Sequence, residues 1–430
     1  MKSANATSSI LGAICLFIAA APADVCAAPL EPVMSLAAKE KAPVLDTLKD
    51  LVSIESGSGD REGLDKISEL IAGRMRELGG TVEFVEPDPA DIYPMVDTPK
   101  KIGRMVLARF TGMGTKKILL IAHMDTVYLR GMLAKQPFRV DGNRAYGLGI
   151  ADDKQGVAVI LHTLAVLKAM NFRDYGAVTV LINADEEVSS AGSRATLTKL
   201  GSEHDAVFSC EGSRVDSDRL SLTTAGIAAV VLNVQGKASH AGSAPENGRN
   251  ALYELSHQIL QTRDLSDPKT GLKMNWTVAS AGTNRNVIPA IASATADVRV
   301  LRIADYDGIE QKVRERITKQ LIPDTKVQMT FERRRPPLEL TPANAALAKH
   351  AQSIYSEIGK NLVIGDVAEG GGTDAAFAAL KTKAPVIERF GLQGFGGHSN
   401  DNEYVNIDSI EPRLYLLSRM IMDVAQGKNK

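Results

Sequence analysis

Residues 177–187 read "AVTVLINADEE", an apolar run that ends on three consecutive acids, Asp185, Glu186 and Glu187. The run reads as a buried strand, and the acids stand at its carboxyl end. Like charges crowded there raise one another's pKa and cost stability unless something positive sits among them. The placement also bears on the fold, because in open parallel sheets ligands collect beyond the carboxyl ends of the strands.

Other stretches repeat the pattern. "KILLIAHMDT" (117–126), "DAVFSCEG" (205–212) and "APVIERFG" (384–391) each read as a buried strand ending in polar residues or glycine. "VAVILHTLAVLKAM" (157–170) predicts a helix apolar on most sides, hence central. Leu64, Ile67, Leu70, Ile71, Met75 and Leu78 predict another, stopped by Gly79-Gly80. Strands alternating with helices imply an α/β protein, its mainly parallel sheet sandwiched by helices. From about 225 to 335 the order changes to βαββαβ, a ferredoxin-like two-layer unit closed by Pro336-Pro337. The expected organisation is a signal peptide over 1–28, a catalytic domain in two parts (29–224 and 336–430), and an inserted dimerisation or lid domain over 225–335. Hinges are expected near Ala225-Gly226 and at "RRRPP".

The chain of 430 residues is long for one core, and its net charge of −1 argues against a non-specific nucleic-acid or membrane-surface binder. Lys2 precedes an uncharged stretch, most apolar over residues 10–21, and "DVCAAP" offers a cleavage site near Ala27 or Ala28. The apolar part is shorter than the roughly 20 residues of a membrane span. An exported protein is expected, periplasmic or secreted, without stable membrane insertion after cleavage. Lipid anchoring at Cys26 is disfavoured by bulky Val25. Cys210 is then the single cysteine of the mature chain, which excludes an internal disulfide, and it reads as a small packed residue.

His123 and Asp125 stand at the end of the "KILLIA" strand, where an imidazole can bind zinc and a carboxylate can orient it. Asp152 and Asp153 stand in "GLGIADDKQG" at a helix start; one acid would suffice as a cap, so capping and metal binding both remain open. Glu211 ends another strand, and His398 lies among glycines in "FGGHSNDNEY". His162 and His257 fall within predicted helices, and His204 and His350 in polar surroundings, with no role assigned. Two histidines and at least three carboxylates at the ends of one sheet could hold two zinc ions about 3.5–4 Å apart. Metal would neutralise the acids, leaving one glutamate of the pair free to move a proton.

"HMDTVY", "GLGIADDKQG", "NADEEVSS", "GKASHAG", "NVIPA" and "GGGTDAAFAA" occur in this order along the chain. Together they resemble the co-catalytic zinc peptidases and deacylases of the aminoacylase and carboxypeptidase superfamily, and within it the bacterial glutamate carboxypeptidases of the carboxypeptidase G type. The resemblance covers essentially the whole mature chain. It implies two Zn²⁺ per chain: one on His123, Asp152 and Glu211, the other on Asp152, Glu187 and His398, with Asp152 bridging. It implies Asp125 as the support of His123, Glu186 as general base and then acid, and a cis peptide between Asp152 and Asp153. His240 would polarise the scissile carbonyl, acting in the partner subunit of a homodimer formed through the inserted domain. Asn286 and Arg299 match positions that grip a terminal carboxylate, and Arg335 is a further match of that kind. Gly372 and Thr373 fall in the substrate-binding motif. Arg335 and Arg219 are candidates for a side-chain carboxylate. The chain departs from the pattern at Ala368 and Glu369, where Arg-Thr is expected.

The implied activity is metal-dependent cleavage of the amide bond to a C-terminal amino acid, glutamate first, from N-acyl or short peptidyl substrates such as folates. Deacylation of N-acyl-amino acids, or dipeptide hydrolysis with another side-chain preference, stays open. A non-catalytic binding protein on the same fold is the alternative from another class.

Overall fold

The computed structural model of the protein describes residues 1, 28–399 and 401–428. The expected export segment, with Cys15 and Cys26, lies almost wholly outside the described residues.

A six-stranded sheet forms the larger body, in the order Thr81–Val85, Met105–Thr111, Ala177–Asn183, Lys117–His123, Ala206–Ser209, Val386–Ile387. The last four strands are mutually parallel and the first two add antiparallel pairs, so the sheet is mainly parallel, as expected. Its central strands are buried along nearly their whole length, which is why they read as continuous apolar runs. The helix Gln155–Ala169 packs on the sheet and against Ile410–Ala425, and buries Val157, Val159, Ile160 and Leu164 around its circumference. Register then fixes the site. His123 pairs with Asn183 in the parallel ladder, so His123 and the acids after Asn183 leave the sheet at the same edge.

A second, four-stranded sheet is wholly antiparallel, in the order Lys273–Ala281, Ile291–Val300, Gly226–Gln235, Lys326–Arg335. Helices Ala251–Thr262 and Asp305–Arg316 cover one face around a core of its own, including Val230, Leu232, Val298 and Ile309. Residues alternate across a strand, and Thr277, Thr295, Asp297 and Arg299 on the other face line the cleft between the sheets.

Three readings needed correction. "APVIERFG" keeps only Val386–Ile387 as strand, because Arg389 turns the chain with φ 74°. His350 lies inside the helix Pro342–Glu357, and His204 is buried, with its ring bonded to the Leu200 carbonyl and the Thr179 hydroxyl at 2.6 and 2.8 Å. A five-stranded sheet built from short segments, Gln393–Phe395 and Ser213–Arg214 among them, was not foreseen; its strands are only two or three residues long, too short for a periodic signal.

Candidate active site

The three opening acids meet three different partners. Asp185 turns into its own loop, taking hydrogen bonds from the Gly192 amide (2.6 Å) and the Ser193 hydroxyl (2.6 Å), and burial pushes its pKa up to about 6. Glu186 is paired with the Arg335 guanidinium, which also donates to the Glu186 carbonyl at 2.6 Å. Burial raises the Glu186 pKa well above its ordinary value, against the pull of Arg335. Glu187 meets His398 Nε2 at 2.9 Å, and burial pushes it up to about 7.

Asp125, fully buried, organises this turn. Its two carboxylate oxygens accept the backbone amides of Glu186 and Glu187, each at 3.1 Å, and one also accepts the Ser58 hydroxyl at 2.7 Å. The backbone carbonyl of Asp125 lies 3.0 Å from His123 Nδ1, which turns Nε2 of that ring outward. There His123 Nε2 lies 3.0 Å from Asp152 and 3.4 Å from Glu211. The other oxygen of Asp152 lies 3.3 Å from His398 Nε2, so this one carboxylate faces both histidines. Burial disfavours charge on Asp152, but hydrogen bonds from His123 and His398 outweigh it and hold its pKa below the usual carboxylate range. Hydrogen bonds to Asp152 and Glu187 push His398 up to about 11. The peptide between Asp152 and Asp153 is cis.

The donor set suits divalent metal. The candidate ligand atoms of Asp152, Glu187 and His398 lie within 4.8 Å of one another, and so do those of His123, Asp153 and Glu211. Among the described residues, one oxygen of Glu187 and one of Asp153 are buried without a hydrogen-bond partner, a costly arrangement that a cation would relieve. Two imidazoles with carboxylates match the ligand preference of zinc. Asp153, to which no role was assigned, thus stands beside the expected ligands.

Glu403 and Tyr128 were missed in the sequence because they act across the fold. The buried Glu403 carboxylate accepts the amides of Gly149, Ala151 and Asp152 at 2.9, 2.8 and 3.1 Å, and so fixes the loop that carries Asp152. The Tyr128 hydroxyl sits 2.5 Å from Glu403 and 2.8 Å from the Ser399 carbonyl, next to His398.

Asp152, Glu186, Glu187, Glu211 and His398 open on a cleft of about 970 Å³, lined also by Arg299, Arg335, Gly372 and Thr373. Gly372 is needed there: a Cβ would come within 2.8 Å of both the Ala225 carbonyl oxygen and Arg335 Cδ. Arg299 is held by both oxygens of Asp297 (2.9 and 3.0 Å) and donates to the Gly370 carbonyl at 2.9 Å. His240 and Asn286 are brought to each other but not to this cleft. The Ala241 amide donates to the Asn286 carbonyl at 2.9 Å, His240 is exposed, and neither residue is part of the cleft lining.

A fold of this kind, with carboxylates and histidines convergent at one sheet edge, defines a metallohydrolase class, and the family comparison agrees. Residues 119–423 match the model of peptidase family M20/M25/M40, and the chain belongs to that family. Among curated proteins it is 45% identical to "Carboxypeptidase G2" of Pseudomonas sp. (strain RS-16), over 91% of this chain and 92% of that one. It is 32% identical to an acetylornithine deacetylase of Klebsiella pneumoniae over 52% of this chain and 56% of the relative. Among solved structures it shares its fold with the M20 family metallo-carboxypeptidase Sso-CP2 of Sulfolobus solfataricus (TM-score 0.71, 14% identity, 89% and 99% of the two chains). Aminopeptidase PepT of Bacillus cereus ATCC 10987 is equally similar in fold (TM-score 0.71, 19% identity, 90% and 99%).

Proposed function

We propose that the protein is a dizinc carboxypeptidase that releases a C-terminal amino acid, glutamate first, from N-acyl or short peptidyl substrates such as folates. The observation that carries this reading is Glu186: a buried carboxylate at the cleft wall, beside two clusters of candidate metal ligands and not needed by either. The 45% identity to Carboxypeptidase G2 supports the substrate class. In this reading His123, Asp152 and Glu211 hold one zinc and Asp152, Glu187 and His398 the other. Zinc held there supplies a Lewis acid for the scissile carbonyl and lowers the pKa of water.

The chain's own residues do the rest. Glu186 takes a proton from the attacking water and returns it to the leaving amine. Its burial favours holding that proton, and Arg335 keeps the carboxylate oriented. Arg299 supplies a charge-assisted hydrogen bond to the substrate's terminal carboxylate, and Asn286, outside the cleft of its own chain like His240, supplies one in the cleft of the neighbouring subunit. The second reading, deacylation of N-acyl-amino acids, is favoured by the likeness to acetylornithine deacetylase. A panel of N-acyl and N-peptidyl amino acids, with products identified by mass spectrometry, separates the readings, and matched N-benzoyl-glutamate, -glutamine and -leucine measure the side-chain preference. A glutamate pocket is expected to favour glutamate by roughly a hundredfold or more in kcat/KM, since a desolvated, unpaired charge costs several kcal/mol. Equal rates on all three retire the glutamate preference.

The protein is read as an exported homodimer, periplasmic or secreted. The N-terminal composition supports export, and no helix among the described residues is long and apolar enough to cross a membrane. The strand Lys273–Ala281 lies at an edge of the smaller sheet and exposes Val278, which supports pairing with a second copy. His240, outside the cleft of its own chain, then serves the neighbour. Mixing His240→Ala with Glu186→Gln subunits, each inactive alone, is expected to restore some activity. No recovery with subunit exchange verified counts against action in trans.

A further inference from the structure

Five arginines line the cleft: Arg214, Arg299, Arg334, Arg335 and Arg389. Four are committed to acids of the chain itself. Arg214 is bound to Asp216 through two nitrogens (2.9 and 2.7 Å), Arg299 to Asp297, Arg334 to Asp97 (2.5 and 2.7 Å), and Arg335 to Glu186. Arg219, just behind this wall, is bound by Glu369, which also reaches Arg214 at 3.4 Å. The departure from the family pattern at Glu369 therefore occupies a cation that a substrate carboxylate could otherwise use. Among the described residues, Arg389 alone of the five has no carboxylate within ion-pair distance. Its one hydrogen bond runs from Nη1 to the Gly212 carbonyl at 2.9 Å.

Its placement is built rather than incidental. Glu388 and Phe390 on either side are both buried. The φ of 74° at Arg389 is uncommon for a residue with a Cβ and persists only where the surroundings over-determine it. Here the surroundings are visible: the Arg389 carbonyl accepts Arg413 Nη1 at 2.9 Å, and Arg413, fully buried, is itself held by Asp218. Gly212, the partner of Arg389, follows Glu211, and the Glu211 carbonyl accepts the Gly391 amide at 3.0 Å. The guanidinium is thus fixed one residue away from a candidate metal ligand, with most of its donors uncommitted.

We propose that Arg389 reads the side-chain carboxylate of the substrate's C-terminal residue, and so determines the preference for an acidic residue over a neutral one. The proposal rests on the reading that this residue is released in the cleft. A planar fork of donors matches a carboxylate bidentately, and a cation with no acid of its own can give its full charge to the ligand.

The test uses the zinc-loaded full chain and the same three N-benzoyl substrates. In Arg389→Gln the glutamate-to-glutamine ratio of kcat/KM is expected to fall tenfold or more, mainly through KM. Arg389→Lys, which keeps the charge but not the fork, is expected to show a smaller fall and serves if the first variant does not fold. Calorimetric binding of N-benzoyl-glutamate and -glutamine reads the same ratio without turnover. A ratio within threefold of the parent in Arg389→Gln, or in Arg389→Lys where only that variant folds, overturns the proposal, as does a collapse in Arg219→Gln but not in the Arg389 variant. In those cases the glutamate preference of the parent survives. A parent enzyme indifferent to the side chain overturns both readings together.

Discussion

Replacing Glu186 by Gln is expected to lower kcat by roughly 10²–10⁴-fold while leaving about two metal ions bound, because a positioned general base contributes rate and not metal affinity. Glu187→Gln, one residue on, is expected to lose metal from the site shared with His398, whose Nε2 it meets at 2.9 Å. The same triplet therefore separates proton transfer from metal holding. Glu186→Gln also leaves Arg335, only 4% exposed, facing a neutral amide, with Asp374 at 3.6 Å as its remaining acid. Breaking a buried pair costs about 3–5 kcal/mol when no second partner is near, and Asp374 should soften that. A lower melting temperature is expected alongside the kinetic loss, so rates are to be compared at equal folded fraction. Near-normal turnover of folded Glu186→Gln would remove Glu186 from its role.

Stripping metal with a chelator is expected to abolish activity, and Zn²⁺ to restore it, at about two ions per chain. The hydrogen bonding of His398 adds a pH dependence. Hydrogen bonds to Asp152 and Glu187 hold the His398 pKa at about 11, so the ring carries a proton through neutral pH unless a metal displaces it. A ligand imidazole must be neutral, so binding releases that proton and affinity rises with pH. For one proton displaced the expected slope is about tenfold in apparent affinity per pH unit across roughly pH 8–10, above the Glu187 pKa of about 7 and below the His398 pKa of about 11. Competition titrations against a chromophoric chelator measure the slope. A pH-independent affinity would contradict the His398 assignment, and full turnover by metal-free protein would contradict the metal mechanism as a whole.

The parts of the molecule legible in the sequence are those decided within a few residues. The runs before His123 and Asp185 are buried on both faces and had to be apolar throughout, and each ends where polar chemistry begins. The βαββαβ order of the smaller sheet followed from the same local patterns. What escaped was decided across the fold. Nothing near Glu186 announces Arg335, 149 residues on, and nothing near Gly149 announces Glu403, 254 residues on. The single neutralising role given to metal was also too simple: Asp185 is met by loop amides and Glu186 by a guanidinium, while the Glu187–His398 pair retains a metal-ligand arrangement. Arg389 was missed because its importance lies in lacking an acidic partner among the described residues, a property of the surrounding arginines and acids and not of "VIERFG" itself.

Glu187 and His398, 2.9 Å apart in space, are 211 residues apart along the chain. The whole of the smaller sheet lies between them in sequence. An ion gripped by both thus closes a very long loop, and it can do so only once the chain has brought the His398 loop back beside Glu187. Metal would bind the finished fold and not its precursors, stabilising it by mass action. In time rather than in space, the centre of the molecule would be the last part to be assembled.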